Sequence, residues 1–143
     1  MKDMRVALPA LWIFMVLNYL YCDVASLLNP ATVRAAFDGK AAGGAMTITP
    51  EFLLVAGMLM EIPMAMTLIS RLARHGVNRW ANVVAAAFMT LVQLGSLTVG
   101  SIEPHYAFFS AIEIGTLVLI AVLALRWTDA DRFDMAAPAT SRA

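Results

Sequence analysis

Four long apolar runs follow one another along the chain, and short polar stretches separate them. About 20 apolar residues carry a helix across a bilayer. On that measure the pattern predicts membrane-spanning helices at about residues 6–28, 51–72, 79–100 and 105–127. The stops and starts are written in the polar stretches. Thr49-Pro50-Glu51 reads as a cap, a proline in the first turn and an acid on the positive helix end. Asn29-Pro30 ends the first run and opens a short helix over 31–37. Arg71 to Gly76 closes the second run with basic residues and a glycine. Asn78-Arg79-Trp80 opens the third, and Ile102-Glu103-Pro104 is a tight turn into the fourth. Residues 38–45 read as flexible. The connection 29–50 is the one long loop, long enough to fold over the bundle mouth as a lid. The tail 128–143 mixes Ala, Pro, Ser and alternating charges and is expected to be disordered. The expected fold class is all-α, a polytopic membrane four-helix bundle forming a single unit over 1–127.

Composition agrees with this. Of 143 residues, 61% are hydrophobic, against about 45–50% in soluble domains, and the mean hydropathy is +0.75. Net charge is zero, so nothing points to nucleic acid. The single cysteine, Cys22, rules out an internal disulfide. No phosphate loop, dinucleotide fingerprint, CxxC or HExxH appears, so no cofactor and no metal site are expected. Val24-Ala25-Ser26 faintly resembles a cleavage site. The apolar region before it is long for a signal peptide, however, and its far half is broken by Asn18, Tyr19, Tyr21, Cys22 and Asp23.

Basic residues set an orientation. With four spans, Lys2, Arg5, Arg71, Arg74, Arg79, Arg126, Arg132 and Arg142 share one side, and only Arg34 and Lys40 lie on the other. Eight against two places both termini in the cytoplasm. Trp12, Trp80 and Trp127 fall near the cytoplasmic ends, where interfacial anchors belong.

The polar residues inside the runs carry the candidate chemistry. Glu61 sits at the middle of the second run, before Pro63, and a charged side chain at that depth costs roughly 2.5–3.5 kcal/mol on insertion scales. Glu113, Asp23, Gln93 and Asn18 lie at or near membrane depth as well. On an ideal helix Asn82, Met89, Gln93, Ser96 and Gly100 share a face, as do Tyr106, Ser110, Glu113 and Thr116. Tyr19, Asp23 and Ser26 share a face of the first run. These stripes are expected to turn inward, since lipid satisfies no hydrogen bonds. The result would be a polar chamber open to the outside and floored by apolar residues. With no Lys or Arg inside any run, Glu61 and Glu113 are expected to hold their protons and Asp23 to be the anion.

The strings LWIFMVLNYLYCDV, ITPEFLLVAGMLMEIPMAM, NRWAN and FFSAIEI resemble a family of small bacterial four-span membrane proteins with no assigned function. That resemblance covers Leu11 to about Trp127 and implies the bacterial inner membrane. In layout alone, an acid in the second run and another early in the fourth is similar to DoxX-like proteins. The sterol-isomerase and sigma-2 receptor group likewise places acids inside a small bundle; its matching positions here would be Asp23 and Glu61, and no activity is carried across.

These readings lead to three functional expectations. The first is a pocket for an apolar or amphiphilic, isoprenoid-like molecule, with membrane lipid as its surroundings and acid–base isomerase or cyclase chemistry. Glu61 would donate, Glu113 or Asp23 would accept or stabilise, and Asn18, Tyr19, Tyr21, Gln93, Tyr106, Phe109 and Ser110 would line the substrate site. The second is a proton-linked transporter, dimeric through the small-residue runs Ala81 to Ala87 and Gly95-Ser96. The third is an accessory subunit of a membrane complex.

Overall fold

The computed structural model describes residues 4–99 and 102–127. Five helices account for most of them. They are α1 (Met4–Leu27), α2 (Pro30–Phe37), α3 (Pro50–Leu72), α4 (His75–Ser96) and α5 (Pro104–Arg126). Three are long and apolar enough to cross a membrane, namely α1, α3 and α5. The fourth long helix, α4, is diluted by His75, Asn78, Arg79 and Asn82 in its first two turns. It begins four residues before the position expected from Arg79. The disordered tail expected over 128–143 lies outside the described residues.

The four long helices close into a ring. α1 packs on α3 and α5, and α4 packs on α5 and α3. The inward residues recur at alternating three- and four-residue steps. In α1 they are Leu8, Trp12, Met15, Tyr19 and Cys22. In α5 they are Ser110, Glu113, Leu117, Ile120 and Ala124. In α3 they are Pro63, Met66 and Ser70. This is the spacing of a left-handed bundle with knobs-into-holes contacts. Leu8, Trp12, Met15, Ala86, Leu117 and Ile120 have no exposed surface.

α3 packs less tightly over its first half, where Phe52, Ala56, Leu59 and Ile62 are half-buried. From Pro50 to Ile62 none of its residues is fully buried, and Leu53, Leu54, Val55 and Met58 are more than half exposed.

The loop between α1 and α3 is ordered, contrary to the flexible stretch expected over 38–45. Asn29 caps α2 by accepting from the Ala31 N–H at 2.9 Å. Thr49 caps α3 by accepting from the Phe52 N–H at 3.1 Å. Between them two short strands, β1 (Lys40–Ala41) and β2 (Met46–Thr47), pair antiparallel with Lys40 opposite Thr47. A single 3-10 turn over Ala42–Gly44 joins them. The turn runs through the left-handed region at Ala42, Gly43 and Gly44. Two glycines make that path accessible. The Lys40 ammonium donates to Thr47 Oγ1 at 3.0 Å, and the Ile48 N–H to the Gly39 carbonyl at 2.8 Å. A strand pair therefore interrupts what was expected to be an all-α chain.

Candidate functional site

A cavity of about 290 Å³ lies at the loop end of the bundle. The loop contributes Thr32, Ala42, Gly43 and Met46, and the helix ends contribute Ser26, Ser96, Val99, Ile102, Glu103, His105 and Tyr106. One wall is thus apolar and the other polar. Small-molecule sites usually run from about 300 Å³ upward, so this one suits a small molecule or the head of a longer one.

The polar wall is a connected network. Ser26 Oγ lies 3.1 Å from His105 Nε2, and His105 Nδ1 lies 3.4 Å from Glu103 Oε2. The Asn29 amide donates to both Glu103 oxygens, at 2.8 and 2.9 Å. The order serine, histidine, carboxylate is that of a hydrolytic relay. Here Ser26 is held inside α1, and its hydroxyl donates to the Cys22 carbonyl at 2.9 Å. That proton points away from the imidazole, so the arrangement presents no activated nucleophile. What the network does is tie the start of α2, the end of α1 and the turn before α5 together around the mouth.

A polar column descends from the cavity by helical turns. At the cavity itself, Tyr106 donates to Ser96 Oγ at 2.6 Å. One turn deeper, the Gln93 amide donates to Ser110 Oγ at 2.8 Å. A further turn in, Glu113 is 1% exposed. It lies nine residues after Pro104, roughly 14 Å along the helix at 1.5 Å per residue. Asn18 is nine residues before Leu27 and so lies at the same depth on α1. Tyr19 and Glu113 are within electrostatic reach of each other. Glu113 Oε1, Tyr19 Oη and Asn18 Oδ1 are buried without a hydrogen-bond partner among the described residues. Buried polar atoms in proteins are paired in the great majority of cases, so three orphans on adjacent helices stand out within the bundle. Below them the core is apolar, with Met15, Met89 and Leu117 fully buried.

Several expected site residues stand elsewhere. Glu61 is exposed on the outside of α3, not in the chamber. Pro63, Met66 and Ser70 fix which face of α3 turns inward, and Glu61 falls opposite it. Asp23 and Tyr21 are also exposed, since Tyr19 and Cys22 take the inward positions of α1. Phe109 is half-buried on α5, its neighbour Phe108 edge-on at 5.6 Å between ring centroids. Of the three expected carboxyls, only Glu113 is inside. Asn18, Tyr19, Gln93, Tyr106 and Ser110 do gather around the mouth column. No group of three or more His, Cys, Asp or Glu side chains suited to a metal occurs among the described residues.

Beyond this apolar layer, the opposite end holds a second polar network that was not expected. Trp12 Nε1 donates to Asn82 Oδ1 at 2.7 Å, and Ser70 Oγ donates to the same oxygen at 3.0 Å. The Asn82 amide donates to Asn78 Oδ1 at 2.7 Å, and the Asn78 amide to the Ser70 carbonyl at 2.7 Å. This joins α1, α3 and α4. Trp12 is consequently a core residue and not an interfacial anchor. Trp127 is buried too, edge-on to His75 at 4.6 Å. Trp80 alone of the three is well exposed. The four-residue spacing of Asn78 and Asn82 was the available signal, since it puts two amides on one face of α4.

Residues 2–133 match the model of a family described as a family of unknown function, DUF6326. The chain belongs to the DUF6326 family. No curated protein and no solved structure matches it. Membership therefore brings no assigned chemistry, and the DoxX-like and sterol-isomerase layouts find no counterpart among these comparisons.

Proposed function

We propose that this DUF6326 protein is an integral membrane protein of the bacterial inner membrane that holds a small amphiphilic molecule at its non-cytoplasmic mouth. In this reading all four long helices span the bilayer, and both termini lie in the cytoplasm. α4 crosses as well because it runs antiparallel between two apolar helices of equal length and buries its amides against them. The molecule's polar end meets Tyr106, Ser96 and His105, and its apolar part lies against Val99, Ile102 and Met46. The observation that carries the reading is the stacking of a two-sided cavity above buried, unpartnered polar atoms at Glu113, Tyr19 and Asn18.

Chemistry on the bound molecule, an isomerisation or cyclisation, would rest on Glu113 as the one carboxyl inside the bundle. The fully buried Met15–Met89–Leu117 layer beneath it favours a closed pocket over a route through a single copy.

The test is to purify the full chain in mild detergent and identify co-purifying small molecules by mass spectrometry. An amphiphile retained by the wild type and lost in Glu113→Leu and Ser96→Leu, with helicity unchanged, is expected. A wild-type protein that carries no such molecule, or variants that retain it in full, would overturn the reading.

A further inference from the structure

Glu61 presents a problem that the mouth site does not solve. It is the central residue of α3 and faces outward. At 100° per residue it points roughly 170° from the mean direction of Pro63, Met66 and Ser70. It makes no hydrogen bond or ion pair among the described residues. Where α3 crosses a bilayer, that carboxyl stands at mid-depth with hydrocarbon around it. Unlike a long lysine or arginine near a helix end, it is too short to reach the interface from there.

The residues around it form a seam. Leu54, Met58, Glu61, Ala65, Leu68 and Leu72 recur at four- and three-residue steps. This repeats the spacing of the inward seam, two residues out of phase and so on the opposite side of the helix. Leu54, Met58, Leu68 and Leu72 are all at least 59% exposed. Gly57 and Ala65 flank Glu61, and a Cβ built on Gly57 would meet nothing within 4 Å. Small residues beside a polar one let two membrane helices approach closely enough to hydrogen-bond.

We propose that the chain pairs with a second copy of itself along this face of α3, with the two Glu61 carboxyls bonded to each other at the two-fold axis. The occupant follows from depth. Copies inserted by the same charge rule run parallel, so a two-fold axis along the membrane normal brings each residue of the seam opposite its own counterpart. A second copy therefore supplies a carboxyl at the same level, one donating its O–H to an oxygen of the other. One polar residue within an otherwise apolar seam also fixes register and partner number. The small-residue run Ala81 to Ala87 is less suited, since Ala86 is fully buried and Ala81 and Ala85 pack against the core. The pairing is independent of the mouth cavity.

The test uses purified full-length chain reconstituted alone in liposomes, in a Cys22→Ala background. Single cysteines at Leu54, Met58 and Leu68 are expected to form intermolecular disulfides on oxidation, and cysteines at Leu53 and Met60, exposed but off the seam, are not. Association measured by energy transfer is expected to weaken roughly three- to twenty-fold in Glu61→Leu, the size of one interhelical hydrogen bond in a membrane. Glu61→Gln, which retains a donor and an acceptor, should stay near wild type. Circular dichroism of each variant separates loss of pairing from loss of folding. A monomeric wild type, cross-linking strongest off the seam, or full association of Glu61→Leu would overturn the proposal.

Discussion

Two buried polar residues show how differently the same kind of group can be used. Asn82 is fully satisfied. Its oxygen accepts from Trp12 and Ser70, and its amide donates to Asn78. Replacing it with alanine leaves two buried donors without an acceptor. Asn82→Ala should lower stability by roughly 1–3 kcal/mol, read as the shift in SDS-induced unfolding from mixed micelles. Glu113 is the reverse case, a buried carboxyl with an orphaned oxygen. Replacing an unsatisfied buried group by an apolar one of similar size is commonly neutral or stabilising. Glu113→Leu should therefore gain up to about 1 kcal/mol in the same unfolding measurement, while losing whatever binds at the mouth. A drop in stability instead would mean that Glu113 is a structural strut. Sequence reading reached Glu113 and Gln93 because each sits on a polar stripe. It misplaced Glu61, because an apolar helix offers no contrast between its faces. On α3, leucines and methionines occur all round, and only contacts with α1 and α4 decide which side turns in.

Among the elements, the helix starts and the loop hairpin differ in how far the sequence shows them. Helix starts were legible because Asn29-Pro30 and Thr49-Pro50 combine a side-chain acceptor with a preset backbone angle, and both caps form as hydrogen bonds. The strand pair 40–47 was not legible. Two pairs of residues carry no periodicity, and the glycines around them read equally well as flexible chain. The mouth network was hidden for another reason: Ser26, Asn29, Glu103 and His105 come from two segments more than 70 positions apart. Asn29 is the joint, capping α2 with its oxygen and clamping Glu103 with its amide. Asn29→Ala should cost about 1 kcal/mol for the cap. It should also free the loop from the turn before α5, seen as faster amide exchange over residues 30–37 and at His105 to Ala107. Exchange unchanged from wild type would show that the loop is held by the hairpin alone.

For the whole molecule, topology is the property most open to direct measurement. Tags fused at each end should be protected outside intact cells and accessible only after the inner membrane is opened, while a tag inserted at Gly43 should be reachable from the periplasm. A three-crossing chain would instead put the two ends on opposite sides. The bundle was legible from the lengths of the apolar runs, and polar residues on α1, α4 and α5 mark inward positions that repeat at three- and four-residue steps. That rhythm does not say which helices touch. α1 lies alongside α5, and it reaches α4 across the ring through the Trp12–Asn82 hydrogen bond.

This closure has a consequence for biogenesis. The ring is sealed by contact between the first and last long helices; on the proposed four-span topology, a nascent chain would therefore have α1, α3 and α4 inserted while their shared interior still stood open to lipid. Asn18, Tyr19 and Gln93 wait in hydrocarbon until Pro104 to Arg126 arrives, and that last segment brings the buried acid with it. A chain stalled before the final helix would therefore display unpaired polar side chains to the bilayer, a mark that membrane proteases and chaperones are placed to recognise.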